Sequence, residues 1–365
     1  MHVRLFACLI ASHSEAILSD SIRFVPRVGY VFDPLYLEHD MPGHPESAGR
    51  LHAIMAHLET QGVLGELQRV APRDATNDDL RLVHTQGLID AVRAASAGES
   101  QRWLDVDTYV VPGSWEAAQR AAGGVLAATD AVLSGEIDSA FCLVRPPGHH
   151  SCPSHDMGFC LFNNVAIAAA HALQRRGLSR VAIVDFDVHH GNGTQDCFVA
   201  EPRVLYFSTH QFPFYPGTGN WDETGAGNIV NIPLPRGCGD IEYMAAYQGV
   251  CAPALRRFQP ELLLVSAGFD AHFADPLALE LVSTEGYYEI AKLLRGMAEE
   301  LCGGKIVFAL EGGYDHTALA WSVRACVDAL LGNEFVPDPL GAAPAVRGPV
   351  ISGLLQRVRE VHGLG

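Results

Sequence analysis

Two aspartates and a histidine at alternate positions are the residues of this chain best suited to chemistry. Asp185, Asp187 and His189 follow the apolar run at residues 181–184. Because side chains in a β-strand alternate between its faces, this spacing predicts that the aspartates, and with them His189, project to one side. Carboxylate oxygens and imidazole nitrogens that converge in this way are suitable ligands for a divalent metal ion. The stretch therefore predicts a metal site at the end of a buried strand.

Three further apolar runs end in polar side chains flanked by glycine. His149 and His150 follow a Pro-Pro-Gly turn, Asp270 follows Ala-Gly-Phe, and Tyr314 follows Glu-Gly-Gly. A histidine pair beside a metal can act as general base and general acid near neutral pH, and a phenol can donate to an oxyanion. Taken alone, Asp270 could instead cap a helix and Tyr314 could pack on the surface. Their common position after apolar runs favours the chemical roles.

Asp270 is the natural third ligand for the predicted metal site. With Asp187 and His189 it would give three protein ligands and leave one coordination position open, which is typical of a catalytic zinc ion rather than a structural one. The two carboxylates would also accept Fe(II), Mn(II) or Co(II). The ligand set therefore favours zinc without fixing the metal.

Strand and helix patterns alternate along the chain and explain how these groups can meet. Apolar runs of strand length lie at residues 30–32, 140–144, 181–186, 204–208, 262–266 and 306–310. Helical patterns lie at residues 45–60, 114–134, 163–176, 240–258, 284–301 and 316–331, and a last helix is expected around Ile351, Leu354, Leu355 and Val358. Continuous apolar strands separated by helices predict an α/β fold with a central, mostly parallel sheet covered on both faces. The polar groups would then share the edge where such folds bind ligands.

Neither an internal repeat nor a long linker divides the chain. We therefore expect one domain at residues 28–365, preceded by an N-terminal extension at residues 1–27. The formal net charge of −17 argues against a nucleic-acid partner. It suits a cationic substrate or a basic protein, although acidity can also serve solubility alone. A homo-oligomer is possible.

Cysteine usage and apolar runs indicate the compartment. The nine cysteines include no CxxC pair, which favours buried free thiols in a reducing cytoplasm. Residues 5–11 form a short apolar patch that resembles part of a signal peptide but lacks a clear cleavage site. No run approaches the ~20 apolar residues of a membrane span. We expect a cytoplasmic protein without a membrane partner.

Taken together, the motifs resemble those of the histone deacetylase superfamily. They are similar to its class II-like and bacterial amidohydrolase branch, which includes acetylpolyamine amidohydrolases, and the resemblance spans roughly residues 28–335. It implies an arginase-like, deacetylase-type catalytic domain. The matching stretches are Arg-Pro-Pro-Gly-His-His at 145–150, Gly-Phe-Cys-Leu-Phe-Asn-Asn at 158–164, the segment 185–195, Tyr-Pro-Gly-Thr-Gly at 215–219, Gly-Phe-Asp at 268–270 and Glu-Gly-Gly-Tyr at 311–314.

The resemblance implies one zinc ion held by Asp187, His189 and Asp270. An amide is a poor electrophile with a poor leaving group, and zinc both polarises a carbonyl and lowers the pKa of bound water to about 7. The family also binds potassium beneath the zinc. The possible potassium ligands here are Asp185, Asp187, His189 and Ser208.

Roles in proton transfer are implied as well. His150 would act as general base on the water and then as acid toward the leaving amine. His149, oriented by Asp185, would supply mainly electrostatic help, and Tyr314 would stabilise the tetrahedral oxyanion. Asn192 stands where class I members have an aspartate, so His150 should be less basic, as in the class II-like branch.

The family has a narrow tunnel that sheathes the methylene chain of the substrate lysine. The positions that match its walls and rim are Gly158, Phe159, Tyr215, Leu277 and Gly313. Phe159 and Tyr215 could also be plain core aromatics. Polyamine-selective relatives carry a carboxylate at the position of Leu277, so this residue favours an acylated lysine of a protein or peptide over an acetylated polyamine, the alternative substrate. Arg50 resembles an arginine that lines the product-release cavity.

Two other functions fit parts of the pattern. Arginase-type ureohydrolases share the fold but need more carboxylates for a second manganese ion, and the residues after His189 and Asp270 do not supply them. A non-catalytic acyl-lysine reader could keep the pocket, but this chain retains Tyr314 and both adjacent histidines. We therefore expect a zinc-dependent amidohydrolase that removes acetyl or other acyl groups from lysine.

Overall fold

A parallel sheet of eight strands forms the centre of the computed structural model, which describes residues 26–365. The strands in chain order are β1 (Val28–Val31), β2 (Gln68–Arg69), β3 (Arg102–Trp103), β4 (Tyr109–Val110), β5 (Ser139–Cys142), β6 (Val181–Asp185), β7 (Val204–Gln211), β8 (Ile229–Leu234), β9 (Leu262–Ala267) and β10 (Ile306–Leu310). The sheet has the order β2–β1–β5–β10–β9–β6–β7–β8, and β3 and β4 form a separate antiparallel pair.

The strands at the centre of the sheet are buried along their whole length. Every residue of β6, β9 and β10 is buried, and most are Val, Ile, Leu or Ala. A strand with one face in water would alternate apolar and polar side chains, whereas a strand covered on both faces does not. The predicted α/β fold with a central parallel sheet and helices on both faces is therefore confirmed.

Helices connect the strands and form the outer layers. They are α1 (Ala48–Thr60), α2 (Asn77–Leu80), α3 (Gln86–Ser96), α4 (Ser114–Ser134), α5 (Asn164–Gln174), α6 (Asn192–Phe198), α7 (Asp240–Ala246), α8 (Ala252–Phe258), α9 (Thr284–Cys302), α10 (His316–Leu331) and α11 (Ser352–Val361). Helices α4 and α5 pack together over the sheet, and α1, α9 and α10 form the second layer. The last helix, α11, packs against β8.

Some predicted elements differ from the observed ones. Strand β8 did not stand out in the sequence because Pro233 interrupts its apolar pattern; proline is tolerated here since β8 lies at the edge of the sheet. The helix predicted at 240–258 contains a π-helical segment, Tyr247–Cys251, between α7 and α8. Strand β6 ends at Asp185, so strand alternation does not place Asp187 and His189; these two residues lie in the turn that follows.

Part of the sequence-based expectations falls outside the described residues. The apolar patch at 5–11 and nearly all of the proposed extension at 1–27 belong to this part, as does Cys8. The other eight cysteines are free, and seven of them are buried. Among residues 26–365, none of the helices combines the length and the apolar character that crossing a membrane would demand.

Candidate metal centre and active site

The predicted functional groups meet at one edge of the sheet because four neighbouring strands end there. Parallel pairing sets Cys142 of β5 opposite Ala309 of β10, and Asp185 of β6 opposite Ser266 of β9. The segments that leave these four strands therefore emerge side by side. They supply the histidine pair, the Asp-x-His turn, Asp270 and Tyr314, as expected for ligand sites in parallel α/β sheets.

Asp187, His189 and Asp270 form a compact group of possible metal ligands. One ligand atom from each lies within 4.8 Å of the others. His189 Nδ1 is 3.1 Å from Asp187 Oδ1 and 3.1 Å from Asp270 Oδ2. Within residues 26–365, this is the one group of three such side chains that could hold a metal ion.

The surrounding backbone fits this group to a cation. The second carboxylate oxygens are taken up by backbone donors: Val188 N–H donates to Asp270 Oδ1 at 2.9 Å, and Gly312 N–H donates to Asp187 Oδ2 at 2.8 Å. The remaining oxygens face His189. Both carboxylates are essentially inaccessible to solvent, and buried charges need a compensating partner. Two such carboxylates and one imidazole therefore suit a divalent ion, including zinc.

The residue that precedes Phe269 and Asp270, Gly268, has no room for a side chain. A Cβ atom at position 268 would overlap the carboxylate of Asp187. Any larger residue would therefore displace this side chain from His189 and Asp270. The glycine is thus required by the close approach of the β9 segment to the ligand group.

The two adjacent histidines have different partners. His149 Nδ1 lies 3.0 Å from Asp185 Oδ2, which also accepts a hydrogen bond from Tyr206 Oη at 3.0 Å. His150 Nδ1 lies 2.8 Å from Asn192 Oδ1. The two imidazole rings are 4.1 Å apart between centroids. One histidine is therefore paired with a carboxylate and its neighbour with a neutral amide.

These environments move the two pKa values apart. Although burial opposes protonation of His149, the carboxylates of Asp187 and Asp185 raise the pKa of this imidazole to about 10. Burial, together with the positive charge of the neighbouring His149 and His189, holds the pKa of His150 well below its ordinary value. A pair of neighbouring groups with separated pKa values is a common arrangement for acid–base chemistry. The neutral member here is His150.

Glu311 holds the backbone of the histidine segment, a role that the sequence did not suggest. Its Oε2 accepts hydrogen bonds from the backbone N–H groups of Gly148, at 2.6 Å, and His149, at 3.2 Å. Its Oε1 accepts from Ser266 Oγ at 3.1 Å. Burial raises the pKa of Glu311 to about 7. Glu311 belongs to the Glu-Gly-Gly-Tyr motif, and its place there was the feature of the sequence that could have indicated this role.

A buried ion pair fixes the start of the histidine segment. Arg145 donates to Glu46 through Nε at 2.5 Å and Nη2 at 2.8 Å, and to the carbonyl oxygens of Tyr36 and His39. Glu46 also accepts from Arg50 Nη1 at 3.1 Å. All three charged side chains are fully buried. These bonds hold the segment at Arg145 against the region before α1, at the point where the segment turns toward His149.

A cavity of about 100 Å³ reaches the ligand group at His189. Of the five predicted tunnel residues, Gly158, Phe159, Tyr215 and Leu277 line it, whereas Gly312 does so in place of Gly313. The full lining consists of Asp107, Pro147, His149, His150, Gly158, Phe159, Cys160, His189, Tyr215, Leu277, Gly312 and Tyr314. Asp107 did not emerge from the sequence, because it lies in a polar loop between two short strands, far along the chain from every motif.

Gly158 lets the cavity wall approach the histidine pair. Its φ is +57°, and a Cβ atom there would overlap the ring of His150. Phe159 follows with a φ of +67°. This non-glycine residue in the left-handed region directs its ring toward Tyr314, at 6.0 Å between centroids. Tyr215 closes the wall near His150, with ring centroids 5.2 Å apart.

Tyr314 lies between the cavity and Arg50. The guanidinium carbon of Arg50 is 5.1 Å from the centroid of the Tyr314 ring. Burial and the carboxylate of Asp270 raise the pKa of Tyr314 well above its ordinary value. The phenol is therefore protonated near neutral pH and available as a hydrogen-bond donor.

The proposed potassium ligands are less well defined. Ser208 of β7 is the register partner of Asp185 in β6, which brings two of the four residues together. Ser208 Oγ lies 2.9 Å from His210 Nδ1. The potassium site stays a prediction.

Comparisons with known proteins agree with this site and fold. The profile of the family named Histone deacetylase domain matches residues 44–330. Histone deacetylase 14, chloroplastic, of Arabidopsis thaliana is 40% identical over 351 residues, covering 90% of this chain and 83% of the relative. The Histone deacetylase-like amidohydrolase of Pseudomonas aeruginosa is 39% identical over 305 residues, covering 82% of this chain and 80% of the relative.

The comparison with a solved structure supports the same family assignment. The crystal structure of the HDA15 HD domain matches with a TM-score of 0.84 and 38% sequence identity, covering 92% of this chain and 94% of that one. Sequence similarity over most of the chain and a shared fold thus point to one family of deacetylases and amidohydrolases. The chain belongs to the histone deacetylase family.

Proposed function

We propose that this protein hydrolyses the amide of acetylated or otherwise acylated lysine side chains, with zinc as its metal. The observation on which this rests is the Asp187–His189–Asp270 group, whose His189 lines a small cavity together with His150 and Tyr314. A ligand group with an open position, a neutral imidazole and a protonated phenol are the elements that amide hydrolysis requires. Family membership independently supports a deacetylase or amidohydrolase activity.

Asp187, His189 and Asp270 would hold the zinc ion. Bound there, zinc would supply Lewis-acid chemistry, polarising a carbonyl and lowering the pKa of a water molecule. The chain contributes a dry, preorganised set of ligands, since backbone N–H groups already fix the outer oxygens of both carboxylates. Such fixed ligands avoid reorganisation during the reaction.

His150 is the proposed proton carrier. With Nδ1 engaged by Asn192 Oδ1, its Nε2 is the atom available for an attacking water. The low pKa of His150 keeps the ring neutral and able to accept a proton. The same nitrogen then returns the proton to the departing amine. His149, whose Nδ1 lies beside Asp185 Oδ2, would supply mainly electrostatic help to negative charge developing nearby.

Tyr314 is the proposed oxyanion donor. Its phenol is protonated and lines the cavity. As the carbonyl carbon becomes tetrahedral, charge accumulates on the former carbonyl oxygen, and a fixed hydroxyl donor lowers the energy of that state. Removing such a donor typically costs about 10²–10³ in kcat.

The cavity favours an acyl-lysine substrate. The aromatic side chains of Phe159 and Tyr215 line it together with Leu277, which suits an aliphatic chain. Leu277 gives the rim no carboxylate to select a free amine. An acetylated polyamine is the second candidate. It is favoured by Asp107, a carboxylate in the cavity lining, and by the net charge of −17.

A substrate panel tests the proposal. The purified protein is assayed on acetyl-lysine peptides, longer acyl-lysine peptides and acetylated polyamines, before and after treatment with a chelator. We expect lysine deacylation that chelation abolishes and that zinc restores. Activity that survives complete metal removal, or that is unchanged in both Tyr314→Phe and His150→Ala, would contradict the mechanism. A strong preference for acetylated polyamines would overturn the substrate assignment alone.

A further inference from the structure

The peptide unit between Gly313 and Tyr314 is held from both sides by the side chains of Arg50 and Asp275. Arg50 Nε donates to the carbonyl oxygen of Gly313 at 2.7 Å. On the other side, the backbone N–H of Tyr314 donates to Asp275 Oδ2 at 2.6 Å. The guanidinium of Arg50 and the carboxylate of Asp275 therefore meet the two ends of one peptide dipole. Burial raises the pKa of Asp275 to about 7, and its bond to Tyr314 N–H is stronger in the ionised form.

Asp275 makes two further contacts with backbone N–H groups. Its Oδ2 also accepts from Asp315 at 3.1 Å, and its Oδ1 accepts from Leu277 at 3.0 Å. The residue is 7% exposed. A single carboxylate thus connects the segment that carries Tyr314 with the segment that carries Leu277 at the cavity.

The Tyr314 segment needs such a restraint. Gly313 has a φ of +113°, a conformation that glycine adopts readily among many others. Beyond it, Asp315 caps α10 by accepting from Ala318 N–H at 2.8 Å. Gly312 is held by Asp187, and from Gly313 onward to this cap the backbone direction at Tyr314 depends on the contacts of Arg50 and Asp275. A catalytic group must be held within about 0.5 Å of its working position.

We infer that Asp275 is a positioning residue for Tyr314. Its carboxylate fixes the backbone from which the phenol projects into the cavity, and it ties that backbone to the rim residue Leu277. The inference rests on the proposed function, in which Tyr314 donates to the oxyanion. Arg50 fixes the preceding carbonyl, but it also contacts the Tyr314 ring, so Asp275 is the cleaner residue to test.

The chain offers a matched control for Asp275. Asp338 begins a second Asp-Pro-Leu tripeptide, and its Oδ1 accepts from the N–H of Leu340 at 2.6 Å and from that of Gly341 at 2.8 Å. Asp275 makes the corresponding local bond to Leu277. Replacing either aspartate by alanine removes a bond to the leucine two residues later, but only Asp275→Ala removes the contacts to Tyr314 and Asp315.

Hydrogen exchange tests the restraint without any assay of activity. Backbone amide exchange is followed in the full-length protein and in its Asp275→Ala, Asp275→Asn and Asp338→Ala variants, with thermal unfolding as a check on folding. We expect at least ~10-fold faster exchange at Tyr314 and Asp315 in Asp275→Ala, because both amides then lose the carboxylate oxygen to which they donate. Asp338→Ala should leave both amides unchanged. Equal exchange in all variants would overturn the inference, and Asp275→Asn, which keeps one acceptor oxygen, serves if the alanine variant does not fold.

A double-mutant cycle tests the consequence for catalysis. The kcat on an acetyl-lysine peptide is measured for Asp275→Ala, Tyr314→Phe and the double variant. If Asp275 acts through Tyr314, we expect its removal to lower kcat about 10-fold or more in the wild-type background and less than about 2-fold in the Tyr314→Phe background. Equal losses in both backgrounds would overturn the positioning role. An unchanged kcat in Tyr314→Phe alone would instead contradict the proposed function, while exchange still decides whether Asp275 holds the segment.

Discussion

His150 and Asn192 are joined through Nδ1 and the amide oxygen Oδ1 at 2.8 Å. The amide nitrogen of Asn192 lies 3.3 Å from Cys152 Sγ and 3.3 Å from Met157 Sδ. Because both sulfur atoms are weak acceptors, they favour this orientation of the amide. An oxygen acceptor at Nδ1 places the imidazole proton there and leaves Nε2 unprotonated toward the cavity.

The first prediction concerns Asn192→Asp. A carboxylate beside Nδ1 favours the protonated imidazole and should raise the pKa of His150 by about one unit or more. Since the proposed base must be neutral, the acidic limb of the kcat/KM profile should move to higher pH by a similar amount. The profile is measured on an acetyl-lysine peptide. An acidic limb at the same pH in both proteins would contradict the role of this pair.

The second prediction concerns the buried ion pair of Glu46. Burial alone would raise the pKa of Glu46, but the guanidinium groups of Arg145 and Arg50 lower it to about 2. Because the folded-state value lies below the unfolded value of about 4.3, the stabilisation is complete above pH ~4.3 and is lost as the pH falls toward ~2. A difference of two units corresponds to about 3 kcal/mol.

Urea unfolding of Glu46→Gln checks this assignment. At pH 7 the variant should be less stable by about 3–5 kcal/mol, since two buried arginines lose their counter-ion. Between pH 4.3 and 2 the wild type should lose stability faster, so the difference should narrow. Glu300→Gln is the control, because Glu300 pairs with Arg256 on the surface and such pairs contribute at most about 1 kcal/mol. A constant difference across the pH range would exclude the titration of Glu46 as its cause.

The third prediction concerns Gly158→Ala. The new methyl group would overlap the His150 ring, and displacing a catalytic group by about 1 Å can cost about 10²-fold in rate. We expect kcat on an acetyl-lysine peptide to fall at least tenfold. Gly177→Ala is matched in backbone strain, with a φ of +76°, but its methyl group would meet open space. Similar kcat losses in the two variants would show that strain alone is responsible.

The fourth prediction concerns metal removal and return. A metal that binds only the folded protein stabilises it by mass action, by about 2.7 kcal/mol at one hundred times its dissociation constant. Zinc added to chelator-treated protein should therefore raise the unfolding temperature as it restores activity. Asp270→Asn should abolish this rise. Asp196→Asn should keep it, because the carboxylate of Asp196 lies against Cys152 Sγ rather than in the ligand group. An equal rise in both variants would place the zinc elsewhere.

Much of the site could be predicted because parallel strands bring their C-terminal ends to one edge. Short apolar runs marked β6, β9 and β10 to within a residue, and the polar residues after them were therefore grouped correctly in space. The alternation argument for Asp187 and His189 was wrong because β6 stops at Asp185. The residues meet all the same, since the turn after the strand folds His189 back toward Asp187.

The supporting residues could not be found in this way. Asp275 and Asp338 both precede Pro-Leu and form the same local bond, yet only Asp275 reaches Tyr314. That difference depends on which segment lies beside each turn in the folded chain. Glu311 and Asp107 are similar cases, because each has partners that are distant in sequence.

The ligand group also constrains the order of events during folding. His189 and Asp270 are 81 positions apart, and Asp187 is 125 positions from the glycine whose N–H fixes its outer oxygen. Contacts of such high sequence separation form slowly, because the intervening chain must first be closed into a loop. A nascent chain in which β9 and β10 have not yet been synthesised does not contain the complete group. At the proposed zinc site, we therefore expect high-affinity metal uptake to follow the pairing of β6 with β9, which brings Asp270 to Asp187 and His189.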